Sequence, residues 1–180
     1  MTTESPEIEL ITDDHIQRLF QPVGEIVVKW AIIDVTLDNL AAEIFLLLGD
    51  PQLSFKWPSA FTNRLKLIEE NLKDRTVFGD LIDIAKPTFD RIWHVKPLRD
   101  AIVHGVPDKY VPAKDAVQFS KIDRVPKEER RQVSARSHRA GGRLVRFTML
   151  AAACRDLYLI VRGLNDVLLS LRALAQAKRP

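Results

Sequence analysis

The sequence predicts a mainly α-helical fold, a helical bundle of about four to five helices with a small β-hairpin or sheet inserted before the last helix. Two long apolar stripes at helical spacing, one in each half of the chain, predict the bundle. A stretch of short alternating runs punctuated by Pro and Gly, residues 106–147, predicts the insertion. At 180 residues the chain fits one domain, 1–180, long enough to bury a core without staples. About the first ten residues and Lys178-Arg179-Pro180 are expected to be disordered tails.

Taken in order, Asp13 to Phe20 read as a short leading helix with Thr12 as N-cap, and Pro22 ends it or opens the next. A long helix follows, in which Trp30, Ile33, Leu37, Leu40, Ile44 and Leu47 recur at helical spacing up to a Gly49-Asp50-Pro51 stop. Ile26, Val27, Ile32, Val35, Phe45, Leu46 and Leu48 lie outside that stripe, so burial on two sides is expected, either as a central bundle helix or through a dimer interface. An amphipathic helix from about Ser59 to Leu72 presents Phe61, Leu65, Ile68 and Leu72. The helical region Val77 to Val103 contains Pro87 and Pro97, each of which removes a donor, and a kink or break is expected at both. Pro97 suits N1 of a final short helix, or a bend. Ala116 to Ile122 and Arg143 to Phe147 read as strands, with Arg131 to Ser137 as a middle one. Thr148 then caps a closing helix whose stripe is Leu150, Cys154, Leu157, Val161, Leu164, Leu168 and Leu171.

Composition narrows the classes. A single cysteine, Cys154, excludes an intrachain disulfide and a multi-cysteine zinc site, and a cytoplasmic location is expected. The N-terminus lacks a basic region leading into an apolar run, so no secretory signal is read there. The longest apolar region, Ile26 to Leu48, is interrupted by Lys29, Asp34, Asp38 and Glu43, and no membrane partner is expected. Net charge is +3, yet Lys121 to Arg146 holds nine Lys/Arg against three Asp/Glu. Such a basic segment can track a polyanion or stand as a solvated loop.

The chemistry-bearing stretch is Arg99-Asp100-Ala101-Ile102-Val103-His104-Gly105, with an arginine fork, a histidine and a glycine stop at one helix end. Arg99 suits phosphoryl oxygens, and His104 suits proton transfer to or from a reacting hydroxyl, without a metal. Asp100 and His104 are four apart and share a helix face, so the carboxylate can orient the imidazole. Arg99 and His104 are five apart, about 140° around a straight helix. Their convergence then needs a departure from helical geometry at His104, the reach of the arginine, or a second copy of the site across a two-fold axis. A structural role competes: Arg99 can pair with Asp100, Asp90 or Asp83, and His104 can close the helix. Trp30, Trp57 and Trp93 follow burial patterns, His15 and His138 read as surface residues, and no P-loop or dinucleotide fingerprint is present, so no cofactor is expected.

Arg99, Asp100 and His104, with the long first helix, the His-Gly exit and the long closing helix, resemble the Arg-polar-x-x-x-His motif of the HEPN superfamily. That resemblance implies a metal-independent endoribonuclease similar to toxins and phage-defence effectors, cleaving RNA through its 2′-hydroxyl at a site shared across a homodimer. It makes Arg99, Asp100 and His104 the catalytic candidates, leaves Arg130, Arg131, Arg136, Arg139 and Arg143 to hold the RNA backbone, and implies an antitoxin or other regulatory partner. The alternative is a non-catalytic dimeric helical module that recognises a partner protein or a nucleotide.

Overall fold

A computed structural model describes residues 8–49, 58–122 and 139–177. Among the described residues, five α-helices and four strands follow in order: β1 (Glu9–Leu10), α1 (Asp13–Leu48), α2 (Phe61–Leu72), α3 (Arg75–Phe78), α4 (Leu81–His104), β2 (Gly105–Val111), β3 (Ala116–Ile122), β4 (Arg139–Arg146) and α5 (Phe147–Ala177). The fold is mainly α-helical, with the small antiparallel sheet set before the last helix as expected. Two compact units share the chain, one formed by Met1–Val27 with Val95–Cys154, the other by Val28–His94 with Arg155–Pro180.

The first unit holds the sheet, in the order β1-β2-β3-β4, every neighbouring pair antiparallel. Val117, Phe119 and Val145 are buried in it. β2 turns into β3 through a 3₁₀ turn at Pro112–Lys114 and a left-handed Asp115 (φ 40°, ψ 57°), a conformation a short polar side chain tolerates. The Asp115 carboxylate accepts both oxygens' bonds from Arg18 Nη2 at 3.0 Å and one from the Tyr110 hydroxyl at 2.8 Å, which ties the start of α1 to this turn. Thr12 caps α1, its Oγ1 accepting from the His15 N–H at 3.5 Å while the Thr12 N–H donates to His15 Nδ1 at 3.2 Å. His15 also stacks on Tyr110, with ring centroids 3.8 Å apart.

The second unit is a helical bundle. Ile33, Leu37, Leu40 and Ile44 of α1 are buried with Leu65, Ile68 and Leu72 of α2 and with Leu157, Leu164 and Leu171 of α5. Arg64 reaches from α2 to Asp34 and Asp38 of α1, and Trp93 Nε1 donates to Glu69 at 3.0 Å. Gly163 of α5 lies against Thr88 of α4 so closely that a Cβ there would sit 2.2 Å from Thr88 Oγ1.

Several boundaries differ from those read in the sequence, for physical reasons. Pro22 neither ends nor opens a helix, because α1 runs through it. One lost donor is outweighed by the buried stripe Leu19, Ile26, Trp30 and Ile33 that continues on both sides. Pro87 and Pro97 likewise lie within an unbroken α4, both exposed, where the carbonyls they leave unpaired can face water. The break falls at Gly79, whose φ of 59° closes α3. Thr148 lies inside α5 rather than at its cap, and Glu9–Leu10, expected as tail, adds a strand to the edge of β2. β3 pairs directly with β4 through Ile122 and Arg139, and the middle strand expected at Arg131 to Ser137 lies outside the described residues. The same holds for residues 1–7, Asp50-Pro51, Trp57, His138 and residues 178–180.

Gly163→Ala is expected to destabilise the protein by about 1–3 kcal/mol in thermal or denaturant unfolding, the usual cost of overpacking a tight crossing. Removing the obstructing hydroxyl in the double variant with Thr88→Ala should recover part of that loss.

Candidate functional site

The last two turns of α4 carry the candidate residues, and the helix gives way to β2 without a loop. Leu98, Ala101 and Ile102 are buried and fix the rotation of these turns. Arg99 and Asp100 are thereby left half-buried and His104 exposed. Gly105 makes the direct helix-to-strand exit possible, since a Cβ there would lie 2.3 Å from the Ala101 carbonyl oxygen and 3.0 Å from Phe119 Cβ.

Arg99 and His104 meet within one chain, Nη1 of the arginine lying 3.5 Å from Nε2 of the imidazole, at the outer limit of a hydrogen bond. Of the three routes to convergence, the reach of the arginine therefore suffices, with His104 still the last helical residue. Asp100 does not take up His104. Its Oδ1 accepts from Arg99 Nη1 at 3.1 Å and its Oδ2 from Lys96 Nζ, so the carboxylate holds the arginine that in turn approaches the histidine. Burial pushes the Asp100 carboxyl up, but hydrogen bonds from Lys96 and Arg99, together with their charges, outweigh it and leave the group below the usual carboxylate range. Asp83 and Asp90, the other partners considered for Arg99, are instead bound to Arg75 and Lys86.

Lys96 is the site neighbour that the sequence reading missed. Its signal was legible, since Lys96 and Asp100 stand four apart on one helix. Of the basic residues assigned to RNA, Arg143 is exposed on β4 and Arg139 opens that strand, whereas Arg130, Arg131 and Arg136 lie outside the described residues. Gly105 pairs with Lys121, whose other neighbour is Ala140, so β3 ends and β4 begins at the end of the sheet where His104 enters it. Two strand spacings, about 10 Å, separate the backbones there.

Among the described residues no group of three or more His, Cys, Asp or Glu side chains is placed to hold a metal ion, and no helix is long and apolar enough to cross a membrane. No protein-family model, curated protein or solved structure matches the chain.

Because the Asp100 carboxyl is lowered in the folded protein, its ion pairs stabilise above the carboxyl's unfolded value and are lost as pH falls through the folded one. Asp100→Asn should thus cost about 1 kcal/mol at neutral pH, discounted for partial exposure. The difference from wild type should shrink as pH falls below the ordinary carboxylate range and vanish once the lowered Asp100 carboxyl is protonated, as followed by denaturant melts across pH. Gly105→Ala should destabilise more strongly and displace His104, visible as a shift of its ring resonances.

Proposed function

We propose that this protein is a metal-independent endoribonuclease of HEPN type, with Arg99 and His104 as catalytic residues and Asp100 as the residue that positions Arg99. The observation that carries the reading is the approach of Arg99 Nη1 to His104 Nε2, 3.5 Å, at the exposed end of α4. A guanidinium and an imidazole so spaced can engage one phosphodiester together, the guanidinium on the phosphoryl oxygens and the imidazole on a hydroxyl that gains or loses a proton. His104 either takes the proton of the attacking 2′-hydroxyl or gives one to the departing 5′-oxygen, as the new P–O2′ bond forms and the P–O5′ bond breaks. Arg99 stabilises the charge that gathers on the phosphoryl oxygens in that step. The product of such a step is a 2′,3′-cyclic phosphate.

RNA as the substrate class draws support from the excess of Lys and Arg over Asp and Glu between Lys121 and Arg146, nine against three, and from Arg143, exposed on β4. A second reading, a non-catalytic binding module, is favoured by one observation, that Arg99 is already bound to Asp100.

Purified protein incubated with labelled structured and unstructured RNA in the presence of chelator should cleave it to products ending in a cyclic phosphate. Arg99→Ala and His104→Ala should each abolish cleavage, with His104→Ala changing stability by no more than about 0.5 kcal/mol, as expected for an exposed group. Wild-type cleavage by His104→Ala would sink the reading, and RNA binding without cleavage by the wild type would favour the module. Mixing the two inactive variants should restore nothing, because each site takes both groups from one chain; recovered activity would show a site shared between chains. Replacing Arg139 and Arg143 with Ala should weaken RNA binding and reduce its salt slope by about one unit per lost phosphate contact.

A further inference from the structure

Lys96, Asp100 and His104 follow one another at steps of four along α4 and so stand one helical turn apart on one face. The Asp100 carboxylate therefore has a basic side chain on either side of it. Its Oδ2 accepts from Lys96 Nζ and its Oδ1 from Arg99 Nη1 at 3.1 Å, on the side away from His104. Lys96, Arg99 and Asp100 are 22, 24 and 29% exposed, so this contact is largely withdrawn from bulk water. In an isolated helix a lysine four residues before an acid is the weaker of the two arrangements. The pair accordingly adds little to α4 itself, and its effect falls on where the carboxylate goes.

We propose that Lys96 is a positioning residue of the Arg99–His104 site: by holding Asp100 Oδ2 it keeps the carboxylate on Arg99 and off His104. Without the ammonium one oxygen of Asp100 is released, and the imidazole one turn further on is the partner left to it on that face. A carboxylate turned to His104 favours the imidazolium. It also gives up the bond that directs Arg99 Nη1 toward His104 Nε2, 3.5 Å away. Both changes fall on the pair to which catalysis is assigned. The inference deepens the ribonuclease reading and rests on it for the effect on cleavage, though not for the effect on the imidazole.

The other charges near His104 do not compete for this part. On α4 the imidazole meets the Arg99 guanidinium. On β2, Gly105, Val106 and Pro107 carry no charge, and the first acid, Asp108, accepts from Ser120 Oγ at 3.2 Å. On β3, Lys121 stands opposite Gly105 in the register, and Ala140 and Arg139 of β4 follow beside it. The ionisable residues that β3 and β4 bring level with His104 are basic, so the carboxylate one turn away, that of Asp100, is the one that can alter the charge of the ring. Lys96 itself stands eight residues from His104, about 12 Å along the helix axis, farther than the Debye length of about 8 Å at physiological ionic strength. Its action on the ring therefore passes through Asp100.

The test follows the His104 ring resonances of the full chain by NMR across pH, with His104→Gln to assign them. In Lys96→Met the titration midpoint should move to higher pH by about one unit, and Lys96→Ala should repeat the shift. In an Asp100→Asn background, where no carboxylate can swing, Lys96→Met should leave the midpoint in place. Lys96→Arg, which keeps a donor for Oδ2, should stay at the wild-type midpoint. Cleavage of labelled RNA gives the second readout: the inflection of the pH–rate profile should move with the ring in Lys96→Met, kcat should fall roughly 10- to 100-fold, and Lys96→Arg should recover most of it. An unmoved midpoint in Lys96→Met overturns the proposal, as does an equal shift in the Asp100→Asn background. A wild type that cleaves no RNA defeats the ribonuclease reading alone, because the ring titration still decides whether Lys96 holds Asp100 off His104.

Discussion

The absence of a side chain at Gly105 is the constraint on which the first unit depends. Helices ordinarily leave through a loop, but here the Ala101 carbonyl oxygen and Phe119 Cβ crowd the point where a Cβ of residue 105 would stand. Only glycine lets α4 pass straight into β2 while β3 packs alongside. The consequence reaches the candidate site. His104 is joined on one side to a helix anchored by Leu98, Ala101 and Ile102, and on the other to a strand held by its neighbours, so its backbone is fixed from both directions.

Electrostatics divide the site into a supporting part and an open part. Lys96 and Arg99 share one carboxylate, that of Asp100, which leaves two positive charges against one negative on these turns before His104 is counted. An Asp100–His104 pair, suggested by spacing, would have placed the carboxylate at the open end and repelled a phosphate. Competition from Lys96 and Arg99 for both oxygens keeps it among the supporting groups.

The helices that pack through long apolar stripes were legible in the sequence, because periodicity records burial directly: Trp30, Ile33, Leu37, Leu40 and Ile44 are all buried, as are Leu150, Leu157, Leu164, Leu168 and Leu171. Pro22, Pro87 and Pro97 do not end the helices that hold them, since a local rule about one missing donor says nothing of the packing gained on either side. β1 was hidden for a related reason. Two residues carry no periodic signal, and Glu9–Leu10 is a strand only because β2 offers an edge to pair with. At the site, residue types and helix end could be read from the sequence, whereas the 3.5 Å approach of Arg99 to His104 arises from side-chain reach that angular spacing does not encode.

The direct pairing of Ile122 with Arg139 means that β3 and β4 are in register before the sixteen residues between them are considered. Closing a longer or shorter connection between two strands already aligned alters the folding free energy only slowly, by about 0.6 kcal/mol per doubling of length. The length of that connection can thus change with little effect on the stability of the scaffold. The scaffold that holds Arg99 and His104 therefore takes its register from the β3–β4 ladder itself and not from the length of the connection that closes it.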